Sequence, residues 1–79
     1  MKWDMREDEI VCKYYLLHIK DFRRNIDILM EELKKAGYSQ RDISSTKMRL
    51  ANYAYLHTGV GLSKASNQSR IVYQKMTKK

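Results

Sequence analysis

The stretch Arg41–Leu56, RDISSTKMRLANYAYL, decides how the rest of the chain is read. Its residues divide onto two faces of one helical period. Ser45, Met48, Arg49 and Asn52 recur at i, i+3, i+4 and i+7, and Ile43, Thr46, Leu50 and Tyr53 recur at helical intervals on another side. That pattern predicts a helix over about 42–56 with a dry face on a core and a wet basic face towards solvent. Arginine forks onto guanine, asparagine onto adenine, and hydroxyls serve phosphates or base edges. The expectation is a DNA recognition helix that holds the side chains from Ser45 to Asn52 on an exposed cationic ridge. The alternative is an ordinary amphipathic helix whose polar side is merely solvated.

Upstream, Ile26, Leu29, Met30 and Leu33 form the buried stripe of a helix over Ile26–Ala36, with Lys34 and Lys35 at its negative end and Gly37 as its stop. Ser39 and Asp42 have the spacing of a capping box. Helix, short glycine-containing turn, helix is a helix-turn-helix pair, and its second helix is the one that enters the major groove. Before it, Asp21–Asn25 is a connector in which Phe22 plugs the core, Arg23 and Arg24 point out and Asn25 caps the next helix.

A first helix is predicted over Met5–Lys20, capped by Asp4 with Glu7 three residues on. Asp8 and Glu9 suit its positive end. Ile10, Tyr14 and Leu17 form its apolar line, with Val11, Tyr15 and His18 beside them. Trp3 folds back as a staple. Downstream, Thr58-Gly59 ends the long helix, Gly59 and Gly61 make a loop, and Leu62 pins that loop. Ser66 caps a fourth helix over Asn67–Met76 with Ser69, Val72, Tyr73 and Met76 inward, before a frayed Thr77–Lys79. The fold class is all-α, a three-helix helix-turn-helix core plus a short fourth helix, with residues 1–79 as a single domain.

The chain has 79 residues and a formal net charge of +7. Residues 1–32 carry six basic and eight acidic side chains; residues 33–79 carry ten basic and one acidic, Asp42. Such a lobe attracts polyanions. The lone Cys12 allows no internal disulfide and reads as a small buried apolar group in a reducing, cytoplasmic setting. No apolar run reaches the roughly 18 residues of a membrane span, and the acidic start is unlike a signal peptide.

Catalysis is not expected. His18 and His57 stand apart without a motif, Cys12 and His18 do not share a helix face, and the acids of residues 4–9 serve the helix start. No metal ligand set and no cofactor motif stands out. Tyr38, in the turn, either stacks on a ligand or packs its ring over the turn.

Read as a series, Trp3, Glu7 and Glu9, then Arg41, then Ser45-Thr46-Lys47-Met48-Arg49-Leu50-Ala51-Asn52 with Tyr53 and Leu56, then Thr58-Gly59, Gly61-Leu62-Ser63-Lys64-Ala65-Ser66 and Tyr73, resemble a known module. It is the amino-terminal helical module of bacterial and phage HNH endonuclease-type proteins, with a Myb/SANT-like arrangement. The resemblance implies the DNA-reading part without the cutting part. Thr46 stands where that module carries an aliphatic residue.

The expected function is therefore binding of duplex DNA. Ser45, Arg49 and Asn52 would read base edges, Arg41 and Lys47 would hold phosphates, and Lys34, Lys35 and Lys64 would hold phosphates at the edges. Two alternatives stand beside it. One is a small phage-type module that docks on a host or defence protein. The other is a subunit that dimerises through exposed Met and Tyr residues.

Overall fold

Asp4 and Glu7 form the expected capping box, with the Asp4 N–H donating to Glu7 Oε1 at 3.1 Å, and they start the first of four helices. The computed structural model describes residues 3–39, 41–59 and 66–77. Its helices are α1 (Met5–Leu17), α2 (Ile26–Lys35), α3 (Ile43–Thr58) and α4 (Asn67–Thr77), with no strand among the described residues. The all-α class and the four helices match the expectation. Helix α1 is central: α2, α3 and α4 each pack on it, and α3 also packs on α4. Helix α2 thus finds its packing partner in α1 rather than in α3.

Helix α1 stops at Leu17, three residues short of the predicted end. His18 leaves the helix at φ −128°, ψ 41°, and its C=O accepts from the Asp21 N–H at 3.1 Å. This early turn brings Phe22 edge-on to Tyr15 at 4.9 Å between ring centroids and lets the Tyr14 hydroxyl donate to the Phe22 C=O at 2.8 Å. Phe22 is the core plug that was expected. Asn25 does precede α2, but its side chain donates to Asp21 at 2.9 Å instead of capping. At φ −107°, ψ 32° the Asn25 backbone lies outside the extended region that aims a cap at the helix N–H groups.

The buried face of α1 also differs from the one predicted. Asp8, Val11, Cys12 and Tyr15 are fully enclosed, with Glu7 and Tyr14 at their margin, whereas Ile10 is half-buried and Leu17 is 69% exposed. Of the expected line of Ile10, Tyr14 and Leu17 only Tyr14 is buried, whereas Val11 and Tyr15 of the adjoining line are fully enclosed. Here two carboxylates are inside, and they set which side of α1 faces its neighbours. The core is completed by Ile26, Leu29 and Leu33 of α2, Leu50 and Tyr53 of α3, and Val72 of α4.

Helix α3 begins where Asp42 accepts the Ser45 N–H at 2.8 Å, so Asp42 is itself the cap. Thr46 is fully buried, and its hydroxyl donates to the Asp42 C=O at 2.8 Å, which is why a polar residue fits this dry position. Ile43, at the first turn, is 46% exposed rather than buried, since it precedes the part of α3 that packs. Helix α4 runs one residue beyond the predicted Met76. Ser66 caps it through the Ser69 N–H at 3.1 Å, with Ser69 and Val72 buried and Tyr73 and Met76 partly so. The expectations for Gly61, Leu62, Lys78 and Lys79 lie outside the described residues.

Gly37 (φ 96°) and Gly59 (φ 75°) end α2 and α3 in the left-handed region, as their positions predict. The Gly59 N–H returns to the Tyr55 C=O at 2.7 Å. A Cβ at Gly59 would meet nothing within 4 Å, so the cost of a side chain there is conformational alone. Gly59→Ala is expected to lower stability by about 1 kcal/mol, and Gly59→Asn by less, in urea denaturation.

Candidate functional site

Two of the residues singled out for DNA contact, Arg41 and Arg49, are turned towards carboxylates of α1. Arg49 turns inward and grips Asp8 with both arms of its guanidinium, Nε to Oδ1 at 2.7 Å and a terminal nitrogen to Oδ2 at 2.6 Å. Asp8 is 0% exposed and accepts two further bonds, from the Tyr53 hydroxyl at 2.7 Å and from the Gln68 amide at 2.6 Å. A bare carboxylate in that position would cost several kcal/mol in lost hydration. Four donors, two of them charged, offset that cost. One carboxylate on α1 thereby ties α3 and α4 together.

A second pair lies beside it. Arg41 is 8% exposed, and its guanidinium meets Glu7 at 2.7 and 2.8 Å. The Glu7 carboxylate holds Arg41 in its charged form beyond the ordinary arginine range. Trp3 lies against both guanidiniums, with ring centroid to Cζ distances of 4.0 Å for Arg41 and 5.1 Å for Arg49. The expected Trp3 staple is thus a stacking contact with Arg41 and with α3. The Gln68 amide also donates to the Trp3 C=O at 2.7 Å, closing the network onto the start of the chain.

These bonds engage three of the residues expected at the DNA interface. Arg41 and Arg49 are internal clamps rather than a phosphate contact and a base reader. Asn52 is half-buried; its amide donates to the Met48 C=O at 2.9 Å and its carbonyl oxygen accepts the Ser66 N–H at 2.9 Å, which fastens the start of α4 to α3. Ser45 is half-buried in the first turn. Lys47 is exposed, as are Lys34 and Lys35 at the end of α2. Lys64 lies outside the described residues. The exposed ridge from Ser45 to Asn52 therefore reduces to Lys47 and Met48, the latter 60% exposed.

Three residues matter most here: Glu7 and Asp8, whose place at a helix start hides their pairing, and Gln68, which carries no local signal. A usable signal was present: the arginines of the second half find their carboxylates in the first. The other candidates are built into the fold. Tyr38 donates to Asp4 at 2.7 Å, which lowers the Asp4 carboxyl below its usual range and raises the Tyr38 hydroxyl. His57 Nδ1 lies 2.9 Å from the Tyr73 hydroxyl. Cys12 is buried, as expected, and burial, reinforced by the Asp8 carboxylate, pushes its thiol up to about 12. Among the described residues no group of three or more His, Cys, Asp or Glu side chains is placed to hold a metal ion, and no helix is long and apolar enough to cross a membrane.

No protein-family model matches this chain, and neither a curated protein nor a solved structure is similar enough to count as a match.

Removing one partner of the buried pair leaves the other charge uncompensated. Arg49→Ala is expected to lower stability by roughly 3–5 kcal/mol, against at most about 0.5 kcal/mol for the exposed Lys47→Ala, in urea titrations. The thiol adds a pH signature. In the unfolded chain Cys12 ionises near its ordinary 9.0, and in the folded chain near 12. Its folded pKa is the higher one, so its contribution is whole below pH 9 and declines as pH rises towards 12. A Cys12→Ala variant is expected to show a shallower loss of stability across that interval than the parent chain.

Proposed function

We propose that the protein is a non-enzymatic binding module that holds duplex DNA through its phosphate backbone, with little reading of base edges. The observation that carries this proposal is where the unengaged charges lie. Glu7, Asp8 and Glu9 are paired with Arg41, Arg49 and Lys75. Asp4 holds Tyr38, Asp21 holds Asn25, and Asp42 caps α3. The remaining carboxylates, Asp27, Glu31 and Glu32, all belong to α2. Helices α3 and α4 present the exposed cations Lys47 and Arg70 with no carboxylate in either helix. Lys34 and Lys35 would add cations at the edge.

A helix-turn-helix insertion of α3 into the major groove is the more ambitious form of the same proposal, and the resemblance to the HNH-associated module favours it. Its specificity would then fall to Ser44, Lys47 and Met48, since Arg49 and Asn52 are engaged. A backbone grip needs only the cations. A second reading, docking on a protein, is favoured by the apolar side chains left exposed, including Leu17, Ile28, Met48 and Ile71.

Fluorescence anisotropy with a labelled random duplex is the test. Binding is expected at about 50 mM salt and should weaken steeply towards 200 mM. Lys47→Ala should weaken all sequences alike and reduce the salt slope by about one. Absence of binding at the lower salt, or a strong preference for one sequence that Lys47→Ala leaves unchanged, would overturn the backbone-binding proposal.

A further inference from the structure

A groove of about 320 Å³ runs between α1 and α2, on the side of α1 away from the Asp8 network. Its walls include Ile10, Tyr14 and Leu17 of α1 and Ile28 of α2, and Lys13 and Glu32 stand on it from opposite helices. Leu17 is 69% exposed and Ile28 46%, although both lie on well-formed helices. On α1 this face reads Arg6, Ile10, Lys13, Leu17, at steps of four, three and four, so its outward charges are cationic. On α2 it reads Ile28, Glu31 and Glu32, with Lys35 one step further at the end of the helix, so the charges beside Ile28 at the groove are anionic. Neither the Lys13 nor the Glu32 side chain has an ion-pair or hydrogen-bond partner among the described residues.

We propose that a second copy of this chain docks in the α1–α2 groove, as a two-fold dimer in which Lys13 of each copy meets Glu32 of the other. The charge pattern selects this occupant. A wholly acidic or wholly basic partner would satisfy one helix and repel the other. A surface carrying the same two strips in reversed order satisfies both, and two-fold rotation supplies one, because residue i then meets residue j while j meets i. The apolar walls provide the contact and the rim charges set the register. The proposal does not depend on nucleic-acid binding, since the groove excludes Lys47 and Arg70.

Sedimentation velocity of the full chain, without nucleic acid and over a range of concentrations, tests it. A concentration-dependent monomer–dimer equilibrium is expected. Leu17→Ser should shift it to monomer while leaving the helical circular dichroism unchanged. Lys13→Glu alone and Glu32→Lys alone should each weaken the dimer roughly fivefold or more, because symmetry makes each substitution count twice. The double variant Lys13→Glu with Glu32→Lys should recover the parent affinity. A monomer at every concentration up to about 1 mM overturns the proposal. So does a dimer that tolerates Leu17→Ser, or a double variant no better than its single parents. A monomeric protein in which Leu17 and Ile28 respond only to an added foreign amphipathic helix would assign the groove to a different partner.

Discussion

A single carboxylate with no access to water governs the architecture. Asp8 lies on the central helix, and its four acceptor contacts go to Arg49 and Tyr53 of α3 and to Gln68 of α4. None of these donors is near it in sequence; the separations are 41, 45 and 60 residues. Hydrophobic burial draws the helices together without direction. The carboxylate adds direction: it fixes which side of α1 is inside and which side of α3 faces it. Among the described residues no buried side-chain nitrogen or oxygen lacks a partner, so the network is complete and not a store of unmet polar groups.

The charge asymmetry of the two halves takes on a different meaning in this light. An acidic first part and a basic second part suggest a positive lobe awaiting a polyanion. Much of that asymmetry is the complementarity of the chain to itself. Arg41, Arg49 and Lys75 of the second part meet Glu7, Asp8 and Glu9 of the first, three consecutive acids on three successive directions of one helix. Internal pairing leaves the net charge at +7 but moves the exposed cations away from the middle of α3. The guanidinium forks of Arg41 and Arg49 are committed to carboxylates within the chain.

The legible and the hidden parts of the fold divide along the same physical line. Helix punctuation is local chemistry, so Asp4 with Glu7, Gly37, Gly59 and Ser66 could be placed from their neighbours alone. The apolar stripe of α2 was legible because Ile26, Leu29 and Leu33 carry no competing polar signal. The face of α1 was not, because burial of Glu7 and Asp8 depends on arginines 34 and 41 residues away. The dry face of α3 was legible in Thr46, Leu50 and Tyr53, but its wet face was not: Arg49 and Asn52 carry the chemistry of recognition, and only a tertiary partner shows that the recognised group belongs to the same molecule. Asn25 differs on a smaller scale, its backbone angles being unsuited to the capping role its side chain invites.

The chain contains one tryptophan, and the fold has set it against the guanidinium groups of Arg41 and Arg49. Indole emission is therefore an intrinsic optical gauge of how the start of α1 is seated against Arg41, α3 and Gln68 of α4. Loosening of α2, which packs elsewhere on α1, would leave that gauge silent. Fluorescence and circular dichroism thus observe different parts of this small protein, and any gap between their transitions would locate the first helix to detach.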